Sequence, residues 1–223
     1  MRVDSESNEL IMKWFNDGIG EGGENSILIY PNLQTFRQIY TQYVKDHLAK
    51  EEEEDDNDDD NNIRNEQFKP RIILIAPFYE TINSVKHNLY AVGIDVQLHI
   101  DNGSLVIVDA FNSYFPDTNG MKKLVASLSE RARKEDRVGV SAIVDMGSFF
   151  LYSGCGAATE LINYEASLPP KTEGGNVRGI SCYHAGNYNT LKDSQKKELA
   201  QRGKKLLEIT ESALLDAYES KKV

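Results

Sequence analysis

The chain has 223 residues, of which 40% are hydrophobic, and this suits one sizeable α/β domain. The formal charge of −10 comes mainly from residues 51–60 (EEEEDDNDDD); the rest of the chain carries 26 acidic against 25 basic residues. A nearly neutral body without a basic stripe argues against direct nucleic-acid binding. No apolar run approaches the roughly 18–20 residues that span a bilayer, and the N-terminus lacks a signal-peptide core, so we expect a cytoplasmic protein with no membrane partner.

The N-terminal segment predicts a short amphipathic helix over residues 8–16, followed by the glycine-rich stretch GIGEGGEN. Its glycines have the GxGxxG spacing, but the dinucleotide-binding motif follows a strand and opens a helix. Here the glycines follow a helical stretch and precede the apolar strand 27–30. We therefore interpret residues 1–26 as an N-terminal helix and a connector.

The strand 27–30 leads through Pro31 and Asn32 into a predicted helix over residues 34–48, whose apolar side chains recur at helical spacing. P-loop enzymes carry GxxxxGK[ST] at such a junction, where backbone N–H groups and a lysine bind the phosphates. That motif is absent from the sequence, so ATP turnover by the usual route is not expected. The acidic insertion that follows, residues 49–68, has too little apolar surface to offset ordering entropy and predicts a disordered loop.

Apolar strands alternate with amphipathic helices through the rest of the chain. In order, we predict a strand at 71–78, a helix at 82–91, a turn at 101–103, a strand within 104–111, a helix at 120–135, a strand within 139–150, a helix at 157–168, a strand at 177–184 and a long helix at 191–220. This alternation is typical of α/β proteins with a mostly parallel sheet and helices on both faces. Residues 27–190 would form that core, and residues 191–223 a C-terminal helix.

Ionisable side chains follow four of the predicted strands, at the ends where open parallel sheets bind ligands: Glu80, Asp109, Asp145 and His184. Asp145 ends its apolar strand in the manner of a Walker B aspartate, which holds Mg²⁺ in P-loop enzymes. Each position also has a structural explanation, because acidic residues often cap the helix that follows. Glu80 in particular has a candidate ion-pair partner in Lys86.

The two cysteines, Cys155 and Cys182, are too few for a disulfide framework or a cysteine-built zinc site. Cys182 and His184 lie two residues apart on one predicted strand and supply only two of the four ligands that zinc takes. We therefore interpret His184 as a hydrogen-bonded pocket histidine and expect no metal.

The order of elements resembles the MEDS sensory domains, which are related to the KaiC branch of RecA-like ATPases. The segments that carry the resemblance are SILIYPNLQTFRQIY, RIILIAPFYETINSVKHNLYAVGIDV, NGSLVIVDAFNSYF, GVSAIVDMGSFF with ELINYEASLP, and GISCYHAGNY. The resemblance implies a RecA/KaiC-like three-layer core in which Asp145 matches the Walker B strand and Glu80 is what is left of a catalytic glutamate pair. The Walker A loop, expected after residues 27–30, is missing, as it is in MEDS domains. These domains are thought to sense small organic molecules in prokaryotic signalling.

The leading hypothesis is a non-catalytic sensory or regulatory domain that binds a small organic ligand or a nucleotide at the strand ends. It would signal to a protein partner or through self-association. The expected ligand contacts are Glu80, Asp109, Asp145, Tyr183, His184, Tyr30 and Phe149, with Phe111, Tyr114 and Phe150 as further aromatic candidates. Two alternatives stay open: an ATPase or metal-assisted hydrolase acting through Glu80 and Asp145, and a scaffold that binds proteins only.

Overall fold

The computed structural model of the chain describes residues 25–55, 71–114, 119–151, 157–168, 177–202 and 205–209. The helix predicted at 8–16, the glycine-rich connector and most of the acidic insertion lie outside these residues. No helix in the part that is described is long and apolar enough to cross a membrane.

The strands form a six-stranded sheet with the order β3-β2-β4-β5-β1-β6. All neighbouring strands run parallel, so their carboxyl ends meet at one edge of the sheet. The strands are β1 (Asn25–Tyr30), β2 (Ile72–Ala76), β3 (Leu105–Ile107), β4 (Val140–Asp145), β5 (Val177–His184) and β6 (Lys205–Glu208). The position of β5 between β1 and β4 decides which side chains can meet at the carboxyl edge.

Helices connect the strands and cover the sheet. They are α1 (Leu33–Asp55), α2 (Ile82–Ala91), α3 (Val96–Asp101), α4 (Ala110–Tyr114), α5 (Gly120–Lys134), α6 (Ser148–Leu151), α7 (Ala157–Ser167), α8 (Ala185–Tyr188) and α9 (Asp193–Arg202). Side chains of α1 and α2 pack on one face of the sheet, and side chains of α5, α7 and α9 pack on the other. The α/β class predicted from the sequence, with a parallel sheet between two helical layers, is confirmed.

Strand β2 shows why the central strands are apolar without interruption. Successive side chains of a strand point to opposite faces, so a strand covered on both sides needs apolar residues at every position. Ile73 and Ile75 belong to the cluster under α1 and α2, whereas Ile72 and Leu74 belong to the cluster under the other helical layer. All of these side chains are fully buried.

The predicted long C-terminal helix is wrong at Lys205–Glu208, and its part after Ile209 lies outside the described residues. The helix α9 ends at Arg202, and Lys205–Glu208 form β6, an edge strand parallel to β1. Leu207 and Ile209 pack against the cluster under α1, while Leu206 is 40% exposed. This two-residue alternation is the period of a half-buried strand, and it outweighs the helical propensity of the lysine- and glutamate-rich segment before it.

The first helix is longer than predicted. It begins at Leu33 and its backbone continues past Leu48 to Asp55, into the segment expected to be an acidic loop. Alanine, lysine and glutamate all favour the helix, so the start of the acidic insertion prolongs α1. Residues 56–68 of the predicted loop lie outside the described part of the chain.

Candidate functional site

The carboxylate of Asp145 is the centre of the site at the carboxyl edge. The residue ends β4 and is 1% exposed. Its Oδ2 accepts a hydrogen bond from the Tyr30 hydroxyl at 2.9 Å, and its Oδ1 accepts one from the Gly147 backbone N–H at 2.9 Å. Since β5 separates β1 from β4, the Tyr30 side chain bridges a distance of about two strand spacings, or roughly 10 Å.

Burial changes the protonation of this carboxyl group. Loss of solvent raises the pKa of Asp145 from 3.8 to about 7, and the negative charge of Glu80 adds to the rise. Hydrogen bonds from Gly147, Tyr30 and the Phe78 backbone oppose it. Burial and the neighbouring Asp145 also raise the pKa of Tyr30, so the phenol keeps its proton and stays a donor. A carboxyl group that is partly neutral near pH 7 is a weaker metal ligand than an ionised one.

An aromatic row connects Tyr30 to the helical layer above it. The Tyr30 ring stacks on Phe36 with centroids 4.7 Å apart, and Phe36 makes an edge contact with Tyr40 at 5.3 Å. On its other side, Tyr30 meets the His184 ring edge-on at 5.5 Å. Tyr30 and His184 are partners in the β1–β5 register, so both side chains lie on the sheet face that α1 covers.

The amino end of α1 lies just after β1, where a P-loop would bind phosphate. Asn32 caps this helix: its Oδ1 accepts hydrogen bonds from the Thr35 backbone N–H at 3.0 Å and from the Thr35 hydroxyl at 3.1 Å. Backbone N–H groups at a helix start are the donors that bind anions in nucleotide sites. In this chain a side chain of the protein already occupies one of those donors.

Glu80 is held by donors from two helices. Its Oε2 accepts hydrogen bonds from Arg37 Nε at 2.8 Å, Ser84 Oγ at 2.9 Å and Asn88 Nδ2 at 2.9 Å. The Glu80 side chain is 1% exposed, whereas that of Arg37 is 41% exposed. The ion-pair partner is therefore Arg37 rather than Lys86, and Thr81, not Glu80, caps α2. This carboxylate joins α1 to α2.

A partly open rim lies beside Asp145 and was not identified from the sequence. Tyr79 is 42% exposed, its ring lies 5.8 Å from that of His184, and its hydroxyl accepts a hydrogen bond from Asn187 Nδ2. Gly147 allows the close approach, because a Cβ atom there would overlap the Phe78 ring and lie 2.9 Å from Tyr79 Cε2. The signal that would have found Tyr79 is its position between an apolar strand and Glu80.

His184 combines a structural contact with an available donor. Its Nδ1 accepts a hydrogen bond from the Gly186 backbone N–H at 3.1 Å, which caps α8. In the neutral ring this places the remaining proton on Nε2, which can donate to a ligand. His184, Tyr79, Asn187 and the half-exposed Arg37 are polar side chains at this edge that are not fully buried.

Several expected contacts are not brought to this rim. Tyr183 follows Cys182 by one residue, so strand alternation sends it to the opposite face, where its hydroxyl donates to Glu165 Oε1 at 3.0 Å. Phe149 also lies on that face, 5.3 Å from Tyr164. Asp109 is exposed and its Oδ1 accepts a hydrogen bond from the backbone N–H of Asn112, as a cap of α4 does. Tyr183, Phe149 and Asp109 therefore do not lie at the rim with Tyr30, where the sequence analysis grouped them.

The remaining aromatic candidates add little to the site. Phe150 packs against the cluster opposite α1, and Phe111 is half-buried beside Asp109 in the chain. The side chain of Tyr114 lies outside the described part of the structure. Within the ranges given above, no cluster of three or more histidine, cysteine, aspartate or glutamate side chains has the arrangement needed to hold a metal ion.

The class that these observations define is an α/β protein with an all-parallel six-stranded sheet and a candidate binding site at its carboxyl edge. Among solved structures, it is similar to the uncharacterized protein PH0321 from Pyrococcus horikoshii in complex with an unknown peptide. The TM-score is 0.59 at 9% identity, over 90% of this chain and 83% of that chain. A KaiC-like protein, PH0186 from the same archaeon, aligns with a TM-score of 0.48 at 12% identity, over 85% of this chain and 73% of that one. No protein-family model and no curated protein matches the sequence.

Proposed function

We propose that this chain is a non-catalytic sensory domain of the MEDS type, which binds a small organic ligand at the carboxyl edge of its sheet within prokaryotic signalling. The observation that carries the proposal is the buried hydrogen bond from the Tyr30 hydroxyl to Asp145. It places an aromatic side chain of the protein against the aspartate that would hold Mg²⁺ in a P-loop enzyme.

Two further contacts support binding without phosphoryl transfer. Asn32 accepts from one backbone N–H at the start of α1, where a triphosphate would need such donors. Glu80, the residue that would activate a water in an ATPase-like site, already accepts hydrogen bonds from Arg37, Ser84 and Asn88. In the proposed sensor, these side chains would stand where a hydrolase holds phosphate, metal and water.

The ligand would contact the open rim next to these groups. Tyr79 and His184 offer ring faces and a donor, Asn187 offers an amide, and Arg37 offers the half-exposed side of its guanidinium. Aromatic walls with a few polar groups are the usual composition of small-molecule sites. The donors outnumber the acceptors, which favours a ligand that carries a carboxylate or carbonyl group.

A thermal-shift screen of small organic acids, nucleotides and divalent metals tests this proposal. We expect at least one organic compound to raise the melting temperature of the wild type and to lose that effect in His184→Ala. His87→Ala is the matched control, because His87 is an exposed histidine of α2 away from the strand ends. It is expected to respond as the wild type does.

A phosphate-release assay with ATP and Mg²⁺ separates the sensor from the hydrolase. We expect no turnover above the background of the Asp145→Asn variant. If the wild type releases phosphate steadily and Asp145→Asn and Glu80→Gln abolish this release, the proposal is wrong and the hydrolase hypothesis replaces it.

Peptide or protein binding is a second candidate, favoured by exposed apolar side chains away from the rim. Tyr90 on α2 is 73% exposed and Leu98 on α3 is 52% exposed. The similar PH0321 structure holds an unknown peptide. A peptide-display selection tests this candidate: binders that lose affinity for Tyr90→Ala and Leu98→Ala, but not for His184→Ala, would favour it over the small-ligand sensor. In either case the signal would pass to a protein partner or through self-association, in the cytoplasm.

A further inference from the structure

A polar cluster lies at the amino edge of the sheet, at the end opposite to Asp145. Arg71 immediately precedes β2, and its Nη1 donates to the Val140 carbonyl at 3.3 Å. On β4, Ser141 pairs with Arg178 of β5 on one side and with Ile73 of β2 on the other. Because paired residues of parallel strands face the same way, these side chains all point to the face that α1 covers.

Tyr43 of α1 closes the cluster from above. Its side chain is fully buried, and burial raises the pKa of its phenol. The Ser141 hydroxyl and the positive charges of Arg178 and Arg71 oppose that rise, so all three groups act on the Tyr43 phenol. One helix and three neighbouring strands thus contribute side chains to one polar cluster.

The cluster contains two guanidinium groups, and the charge of one disfavours the charged form of the other. Arg71 is 5% exposed, and its pKa falls to about 10, first through burial and then through the charge of Arg178, with Tyr43 acting in the other direction. Arg178 Nε is buried, and no residue of the described ranges accepts a hydrogen bond from it. Like charges in a buried setting repel, and a buried donor without an acceptor is expensive.

We propose that this cluster, Tyr43, Arg71, Ser141 and Arg178, binds a small oxyanion such as inorganic phosphate. An anion between the two guanidinium groups relieves their repulsion and accepts a hydrogen bond from Arg178 Nε. Arginine suits this task because its planar fork matches the geometry of phosphate and carboxylate oxygens. The Tyr43 and Ser141 hydroxyl groups are further donors to the same anion.

The anion site is separate from the proposed ligand site and does not depend on it. None of its residues belongs to the carboxyl edge, where Asp145 and His184 lie. The chain also carries a second source of oxyanions, because only ten residues separate the acidic run 51–60 from Arg71 in the sequence. The experiment therefore has to distinguish dissolved phosphate from the carboxylates of the chain.

Titration with sodium phosphate at constant ionic strength, against sodium chloride, tests the site. We expect phosphate to raise the melting temperature of the wild type with saturation, and calorimetry to give one site per chain. Arg178→Gln is expected to weaken phosphate binding by about tenfold or more, since it removes one charged donor. Arg133→Gln is the matched control, because the Arg133 side chain is 65% exposed and pairs with Glu130; it is expected to bind as the wild type does.

Arg178→Lys keeps the positive charge without the fork and is expected to bind phosphate with intermediate affinity, which tests the site even if Arg178→Gln does not fold. A variant with Asp58→Asn, Asp59→Asn and Asp60→Asn is expected to bind phosphate as tightly as the wild type. The proposal is overturned if phosphate has no saturable effect on the wild type, or if Arg178→Gln and Arg178→Lys both bind it unchanged. Binding that appears only in the triple variant would also overturn it, since the carboxylates of the chain would then fill the cluster.

Discussion

Replacing Asp145 by asparagine is expected to stabilise the protein at and above neutral pH. The folded protein holds the Asp145 proton more tightly than the unfolded chain does, because burial raises the pKa from 3.8 to about 7. Stability therefore falls as the pH rises between these values and is level above about 7. The difference corresponds to a cost on the order of 4 kcal/mol for the ionised form.

Asparagine avoids this cost because it cannot ionise. Its oxygen can accept from Gly147 N–H, and its amide can donate to the Tyr30 hydroxyl, so a hydrogen bond to each of these two groups is kept. We expect Asp145→Asn to match the wild type near pH 4 and to exceed it by roughly 2–4 kcal/mol at pH 8. The free energy of unfolding, from urea titrations followed by far-UV circular dichroism between pH 4 and pH 8.5, measures this difference.

Asp109→Asn is the matched control, since Asp109 is exposed and asparagine caps a helix as well as aspartate does. It is expected to keep the pH dependence of the wild type. If Asp145→Asn lowers stability equally at every pH, or leaves the slope between pH 4 and pH 7 unchanged, the protonation state assigned to Asp145 is wrong. The argument against a metal-bound aspartate would then lose its main support.

Three further substitutions test the contacts around the site and the edge of the sheet. Glu80→Gln is expected to cost about 2 kcal/mol, because it replaces a buried acceptor of three donors, while exposed Glu135→Gln costs less than about 0.5 kcal/mol. Gly147→Ala is expected to cost about 1–3 kcal/mol through overlap with the Phe78 ring. Ile209→Ala is expected to cost about 2–4 kcal/mol and exposed Leu206→Ala less than half of that, which urea titrations of each variant measure.

Each of these expectations has a clear opposite outcome. If the stability of Glu80→Gln is within error of that of the wild type, the groups that donate to Glu80 form hydrogen bonds with water as favourably as with the carboxylate. An unchanged Gly147→Ala variant would mean that Phe78 and Tyr79 have room to move away. Equal costs at Leu206 and Ile209 would contradict the alternation that defines β6.

Local patterns predicted the elements whose identity depends on their own residues. The helix at 82–91 and the strand at 177–184 have the bounds predicted from the sequence. Strand β6 was missed, because its edge position is set by pairing with β1, far away in the sequence. A short strand after a long helical pattern cannot be recognised without that partner.

The edge of the sheet on which the candidate site lies was predictable, but the contacts there were not. The rule that ligands bind at the carboxyl ends of parallel strands located Asp145 and His184 correctly at one edge. The partner of Glu80 was not predictable, because Arg37 lies 43 residues earlier and meets it only after α1 packs on α2. Tyr183 was misplaced although the signal was available, since it alternates with Cys182 and His184 along one strand.

The helix α1 reaches from the carboxyl edge of the sheet, through Arg37 and Tyr40, to the amino edge, through Tyr43. Because α1 is one continuous helix, an axial shift of α1 at one edge of the sheet moves its residues at the other edge by the same distance. If two ligands favour different axial positions of α1, each lowers the affinity of the protein for the other. If they favour the same position, each raises the affinity for the other by the same factor.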